Sequence, residues 1–342
     1  MVVSSVLRRL LLTLAVLALI FVPALYLVYA DYRAFLVTPL GVPAGGLTLE
    51  VKPGMGISAI ARELQRQPGL LRSATYLEAY ARWHDLAPRL KAGEYAVIPG
   101  TTPRSLLDQL VAGRVIQYPL TVVEGWTFRQ LRQALAEHPK LAHTLQDLDD
   151  AALMARLGRP GVSPEGRFFP DTYHFPAGTS DAAFLQRALT TMDQRLAAIW
   201  AQRSAGLPLR DPDQALILAS IIEKETGLPA ERAAIAGVFI RRLQKDMPLQ
   251  TDPTVIYGLG AAFDGNLHRQ DLLTDTPYNT YTRKGLPPTP IALPGAESLM
   301  AAVQPAPGDA LYFVANGAGG HVFSATLNEH NQAVKRYQIK ER

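Results

Sequence analysis

From Leu10 to Ala30 the sequence reads LLLTLAVLALIFVPALYLVYA, without a single charged residue. Nothing else in the chain limits its folding as much. A helix crossing a bilayer core needs about 20 apolar residues, because every backbone polar group must be satisfied within the segment. Arg8 and Arg9 precede the run, while Asp31 and Arg33 nearly cancel after it. The positive-inside rule therefore places the N-terminus in the cytoplasm and the remainder outside. A cleaved signal peptide is the competing reading, since Val28-Tyr29-Ala30 fits a small-x-small cleavage site. Signal cores usually span about 7–15 apolar residues, fewer than this run, so a retained single-pass anchor is expected. Either way the bulk of the chain is exported.

The 342 residues leave room for two or three domains. The absence of cysteine removes thiol chemistry and Cys-based metal sites. A net charge of +4, with no long Lys/Arg block, speaks against nucleic acid and suits an anionic membrane or wall polymer. The 7 histidines are dispersed without an HExxH pattern, so no metal is expected. No Gly-rich phosphate loop follows a strand, and no cofactor is expected.

Residues 1–30 read as a cytoplasmic tip and membrane anchor, and residues 31–46 as a linker broken by Pro39, Pro43 and Gly45-Gly46. LTLEVK alternates like a strand, Ile57 to Arg66 and Ser73 to His84 carry helical patterns, and short strands follow at Glu94 to Val97 and Ile116 to Val123. Thr102-Pro103 opens a further helix that Gly113 closes. This βααβ arrangement over residues 47–123 resembles the LysM-type modules that bind glycan chains; a spacer domain is the plain alternative. Residues 124–342 form the expected catalytic domain, mainly helical over 124–205, with a core acid helix and cleft over 206–342. The predicted class is α+β: a transmembrane helix, a small LysM-like module and a catalytic domain mixing helices with short strands. PEGRFFPDTYHFPAGTS interrupts the helical part without periodicity. Its Phe169, Asp171 and Tyr173 read either as the mouth of a cleft or as a structural corner.

ALILASIIEKETG, residues 215–227, is the most unusual stretch of the exported part. Asp211-Pro212-Asp213-Gln214 is a strong helix start, and Gly227 a stop. The helix is apolar nearly all round, so it should be buried, yet Glu223 and Glu225 close it. Two residues apart on a helix, they point about 200° from each other. They cannot flank one bond from opposite sides, as an ordinary glycosidase pair does. One should be chemical while the other holds the helix. Glu223 lies over Leu216, Ala219 and Ser220, small residues among them that leave room for a ligand. Burial and the negative helix end both disfavour a charge there, which suits a proton donor. A structural ion pair of Glu223 with Arg241 or Arg242 is the alternative.

LQTDPTVIYGLG and DTPYNTYTRKGLPPTPI, both read as loops, are rich in Thr, Asn, Tyr and Pro. Tyr faces stack on sugar rings, and Gln, Asn and Thr exchange hydrogen bonds with hydroxyls. Gln250, Thr251, Asp252, Tyr257, Tyr278, Asn279, Thr280 and Tyr281 are thus candidate contacts for a polyhydroxy ligand. LYFVANGAGGHVFSATLNEHN reads as a strand, a Gly-rich hairpin and a second strand.

Taken in order, EG at 165–166, FPDTYHF, LILASIIEKET, ERAAIAGVFIRRL, LQTDPTVIYG, YNTY, GLPPTPI and YFVANGAGGHVF resemble the YceG-like endolytic murein transglycosylases, over nearly the whole chain. The resemblance implies a bacterial inner-membrane protein with a periplasmic catalytic part. It implies internal cleavage of nascent peptidoglycan strands at the MurNAc–GlcNAc β-1,4 bond, leaving 1,6-anhydro-MurNAc ends. Peptidoglycan strands, the inner membrane and peptidoglycan synthases are the implied partners. It assigns catalysis to Glu223, the first Glu of the E-K-E-T motif, and leaves Glu225 a supporting role. Two other outcomes stay open: a hydrolytic muramidase pairing Glu223 with Asp252, and a non-catalytic peptidoglycan-binding scaffold.

Overall fold

The computed structural model describes residues 2–338, which divide into two compact units, one ending at Tyr118 and the other beginning at Pro119. In the first unit, α1 (Val2–Val37) contains the whole apolar run, and its most apolar stretch is not buried at all. It does not end where the apolar run ends. Tyr32, Phe35, Leu36 and Leu40 follow at helical spacing, a stripe that packs on the unit's core with Phe35, Leu36 and Leu40 buried. Tyr32 and Phe35 both meet the Tyr76 ring edge-on at 5.6 Å, and Arg72 pairs with Asp31 at 2.9 Å. The linker expected over residues 31–46 is therefore helical through Val37 and anchored by Leu40. The Pro and Gly residues masked that stripe in the sequence.

The rest of the unit follows the expected order with shifts of a residue or two. β1 (Leu47–Val51) pairs antiparallel with β2 (Gly93–Val97), Leu47 opposite Val97. Between them lie α2 (Ile57–Arg66) and α3 (Ala74–Trp83), the latter capped by Ser73. α4 (Pro103–Ala112) begins with a Thr102/Ser105 capping box and ends at Gly113, whose φ of 71° only glycine adopts cheaply. β3 (Gln117–Thr121) carries the chain onward.

The second unit is mixed α and β, with helices dominating. α5 (Phe128–Glu137), β4 (Leu141–Ala142), α6 (Asp150–Arg156), β5 (Thr172–Pro176), β6 (Thr179–Ser180) and α7 (Asp181–Trp200) lead to the central helix. Thr121 Oγ1 and Thr172 Oγ1 lie 2.9 Å apart where β3 meets β5. Tyr173 is buried and donates to the Phe169 carbonyl at 2.7 Å, so this aromatic segment is a structural corner. α8 (Pro212–Glu225) starts at Asp211, whose carboxylate accepts from Gln214 N–H at 2.8 Å. It is buried from Leu218 to Ile222, and α7, α9 (Pro229–Gln244) and α12 (Ala296–Val303) pack around it. Each fully buried Leu or Ile contributes about 1.5–3 kcal/mol, so α8 is fixed before its polar end is considered. TDPTVIYG is not a loop. It forms α10 (Asp252–Leu259), because Thr251 is extended at the N-cap and Pro253 stands in the first turn, where its missing N–H costs nothing. α11 (Arg269–Leu273) is short, the 275–291 stretch has no regular element, β7 (Tyr312–Ala315) and β8 (His321–Ser324) form the expected hairpin, and α13 (Leu327–Tyr337) follows.

Candidate active site

The two carboxyls at the end of α8 face different surroundings. Glu223 is 7% exposed at its side chain. Its Oε2 accepts the Gly295 N–H at 2.9 Å, and its Oε1 lies 3.8 Å from Arg232 Nη2. Arg232 in turn binds Glu297. The expected partners are engaged elsewhere: Arg241 Nε donates to the Ala310 carbonyl and Arg242 Nε to the Leu311 carbonyl, each at 2.7 Å. The room expected beside Glu223 is filled as well. Ser220 Oγ accepts the Ile291 N–H at 3.0 Å, and Ala219 and Ser220 are fully buried beneath that segment. Glu223 thus ties α8 to the start of α12 and, through Arg232, to α9.

Glu225 points the other way, into the group the sequence singled out. Thr251 Oγ1 donates to its Oε1. Its Oε2 has no hydrogen-bond partner among the described residues, yet it is not among the sealed, unsatisfied atoms, so it opens to solvent. Burial pushes the Glu225 carboxyl up to about 6; the nearby Asp252 adds to that, and the Thr251 bond and His321 oppose it. That is the condition of a proton donor near neutral pH.

The expected ligand contacts sort by accessibility. Asp252 is exposed, and its Oδ1 accepts from Tyr281 O–H at 2.5 Å. Gln250 is exposed and non-glycine at φ 51°, a conformation that costs energy and marks a constrained backbone. Its N–H donates to the Thr280 carbonyl at 3.0 Å. Thr251, Asn279 and Thr280 are buried and spend their polar atoms internally. Thr280 Oγ1 accepts from Thr251 N–H at 3.1 Å, and Asn279 Nδ2 donates to the Thr274 carbonyl at 2.7 Å. These three shape the loop and are not free to meet a ligand, apart from the Thr251 hydroxyl on Glu225. The half-buried Tyr257 and Tyr278 pack edge to face at 4.9 Å, and Tyr278 O–H shares a 2.7 Å bond with Thr289 Oγ1.

Tyr257 O–H reaches a group the sequence flagged only within a motif, the buried Glu165, at 3.1 Å. Glu165 also accepts the Phe128 N–H at 2.9 Å at the start of α5, and burial pushes it up to about 7 against those bonds. Glu231 and His321 also went unnoticed as a pair. His321 Nδ1 lies 2.7 Å from Glu231 Oε2, and the His321 N–H donates to Glu231 Oε1 at 2.9 Å. The cue for this pair was the Gly-Gly-His sequence. A Cβ on Gly320 would stand 2.7 Å from Glu231 Oε1, so any larger residue there displaces the Glu231 carboxyl. Among the described residues, no group of three His, Cys, Asp or Glu side chains could hold a metal ion.

A mostly helical unit holds a carboxyl that keeps its proton at the end of a buried helix, beside tyrosines and polar loops, the arrangement of an acid–base site. The chain belongs to the YceG-like family, whose model matches residues 49–336. It is 32% identical over 308 residues to an endolytic murein transglycosylase of Bacillus subtilis (strain 168), covering 85% of this chain and 84% of that protein. It is 27% identical over 354 aligned positions to one of Streptococcus pneumoniae serotype 2 (strain D39), covering 90% of this chain but only 62% of that longer protein. The crystal structure of a yceG-like protein from Listeria monocytogenes is similar with a TM-score of 0.54 and 31% identity, covering 84% of this chain and 98% of that one.

Proposed function

We propose that this chain is a membrane-anchored endolytic transglycosylase that cleaves the MurNAc–GlcNAc β-1,4 bond inside nascent peptidoglycan strands and leaves 1,6-anhydro-MurNAc ends. The relatives' names support the activity. The observation that carries the chemistry is Glu225, mostly buried, held near pH 6 and open at one oxygen. Its environment favours it over Glu223 as the acid. In this reading the roles expected from the sequence are exchanged: Glu225 is chemical, and Glu223 holds the helix through Gly295 and Arg232.

Glu225 donates its proton to the glycosidic oxygen as the bond from that oxygen to C1 breaks. The C6 hydroxyl of MurNAc then forms the new bond to C1 and gives up its proton to the Glu225 carboxylate, which serves as acid and then as base. Tyr257, Tyr278, Tyr281, Gln250 and Asp252 line the strand's path, and the intramolecular nucleophile supplies the proximity advantage that water would lack. α1 serves as the inner-membrane anchor with a cytoplasmic N-terminus. The first unit acts as a LysM-like module that holds the glycan in the periplasm, and peptidoglycan synthases supply the strand.

Hydrolysis is the second reading, because the exposed Asp252, fixed by Tyr281, neighbours Glu225 and could orient a water. Mass spectrometry of the products from uncrosslinked glycan strands decides between them. Internal fragments with anhydro ends, lost in Glu225→Gln, support the transglycosylase, whereas reducing MurNAc ends make the protein a muramidase. No cleavage, with Glu225→Gln binding strands like the parent, would mean a scaffold.

A further inference from the structure

The start of α10 breaks local rules at two successive residues. Gln250 takes φ 51°, which costs a non-glycine residue energy. Thr251 beside it is the helix N-cap, yet its side chain makes no capping bond. Thr102, Thr127 and Thr326, at the starts of α4, α5 and α13, each accept a backbone N–H of their own first turn, as a threonine cap should. Thr251 forgoes that bond, and its hydroxyl goes to Glu225 Oε1 instead. Such departures collect where a site needs them.

We propose that Thr251 is the positioning residue of the acid: its hydroxyl, turned from its own helix, holds Glu225 Oε1 so that the proton to be delivered sits on Oε2. This role rests on the reaction proposed above. Thr251 is 2% exposed, and Glu225 Oε1 is the only acceptor its hydroxyl has among the described residues. A proton on Oε1 would leave that buried O–H with nothing to donate to, which is costly. The hydroxyl therefore donates, and the carboxyl proton belongs to the open Oε2. The backbone around Thr251 is clamped on both sides. Its N–H donates to Thr280 Oγ1 at 3.1 Å, and its carbonyl accepts from Thr254 Oγ1 at 2.8 Å. Ahead of it, Gln250 N–H donates to the Thr280 carbonyl, and the buried Arg242 Nη1 donates to the Pro248 and Leu249 carbonyls at 3.1 and 2.9 Å. These bonds hold the turn in its strained form.

One bond serves both halves of the reaction. Oε2 gives its proton to the leaving oxygen, the C6 oxygen bonds to C1, and the carboxylate that remains is stabilised by the hydroxyl on Oε1. Oε2 stays turned to the sugar and takes the C6 hydroxyl's proton, which restores the acid. Other groups act on the carboxyl too. Asp252 on α10 strengthens its hold on the proton, His321 on β8 weakens it, and Tyr281 lies within electrostatic reach. All three remain when Thr251 is changed.

The test uses the full chain in detergent micelles with uncrosslinked strands, following new ends by mass spectrometry on either side of about pH 6. Thr251→Val keeps the shape and removes the hydroxyl. Its kcat at low pH should fall about 10- to 100-fold, because a freed carboxyl loses its orientation, with KM nearly unchanged. The bond favours the charged carboxylate, so without it the decline of kcat with rising pH should start about one pH unit higher. Thr251→Ser returns the hydroxyl and should restore both. A decline that stays in place overturns the proposal, since a threonine that only packs would lower the rate without moving the profile. Thr251→Ser no better than Thr251→Val overturns it as well. If Thr251→Val melts early, Thr251→Ala, measured the same way, decides. A wild-type chain that cuts no strand refutes the proposed reaction and this role with it; a wild-type chain that cuts, beside a Thr251→Val chain with the same rate and profile, refutes the role alone.

Discussion

Replacing Glu225 with Gln should abolish activity and stabilise the protein at the same time. Gln keeps the shape and an oxygen for the Thr251 hydroxyl but has no proton to give, and losing a general acid costs about 100- to 10,000-fold in rate. Stability moves oppositely. The native carboxyl holds its proton up to about 6, against 4.5 for an ordinary Glu. The folded state therefore binds an extra proton between those values. The stability this gives is complete below 4.5 and lost as pH rises through 6. At about 1.4 kcal/mol per pH unit, the loss is about 2 kcal/mol. Gln, always neutral, does not incur it.

Melting curves at pH 4.5 and 8 should thus show Glu225→Gln gaining about 2 kcal/mol on the parent across that interval. In a unit of this size that amounts to about 4–8 °C. Glu223→Gln is the internal control, because it weakens a pair whose side chains are 9% and 7% exposed. Removing one member of a buried pair costs about 3–5 kcal/mol, less here because Arg232 keeps Glu297. It should lower stability and reduce the rate by much less than 100-fold. A Glu225→Gln protein that keeps a tenth of its activity, or that tracks the parent at both pH values, refutes the reasoning. A dead Glu223→Gln beside an active Glu225→Gln would return the acid to Glu223.

Three further outcomes are expected. Glu165 holds its proton up to about 7, so unfolding free energy should fall on the order of 3 kcal/mol between pH 4.5 and 7 on its account; denaturant titrations of Glu165→Gln should lack that part of the slope. Gly320→Ala puts a methyl group 2.7 Å from Glu231 Oε1, so Glu231 must shift from the His321 main chain it accepts from, and thermal melting should show a loss of about 1 kcal/mol. A chain starting at residue 41 loses Phe35, Leu36 and Leu40 from the first unit's core, and urea denaturation should show it less stable than one starting at residue 31 by on the order of 5 kcal/mol.

Elements with strong local signals were legible in the sequence. Asp211-Pro212, Thr102-Pro103 and Ser73 start helices where capping chemistry says they should, because a cap depends on its own few neighbours. The opposed directions of Glu223 and Glu225 were legible too, since helix geometry fixes them. Which one meets the ligand was not. That depends on Gly295 and Arg232 closing over one side and Thr251, Asp252 and Tyr281 gathering on the other, contacts between residues far apart in the chain. The helical character of TDPTVIYG was hidden by its Thr, Asp and Pro, which read as loop residues until they are recognised as an N-cap and first turn.

Glu225 is tied through one carboxyl oxygen to Thr251 and open at the other. A group with both atoms bonded inside the protein could not reach a substrate, and one with neither would sample many rotamers and lose the orientation that catalysis needs. Asn279 and Thr280 are of the first kind, which is why a search for sugar-binding residue types finds them but the geometry excludes them. Burying most of a carboxyl while leaving one oxygen open disfavours its charged form. An open oxygen on a mostly buried carboxyl is hard to explain by packing alone, and it fits a group that gives a proton and takes one back on the same face of a sugar.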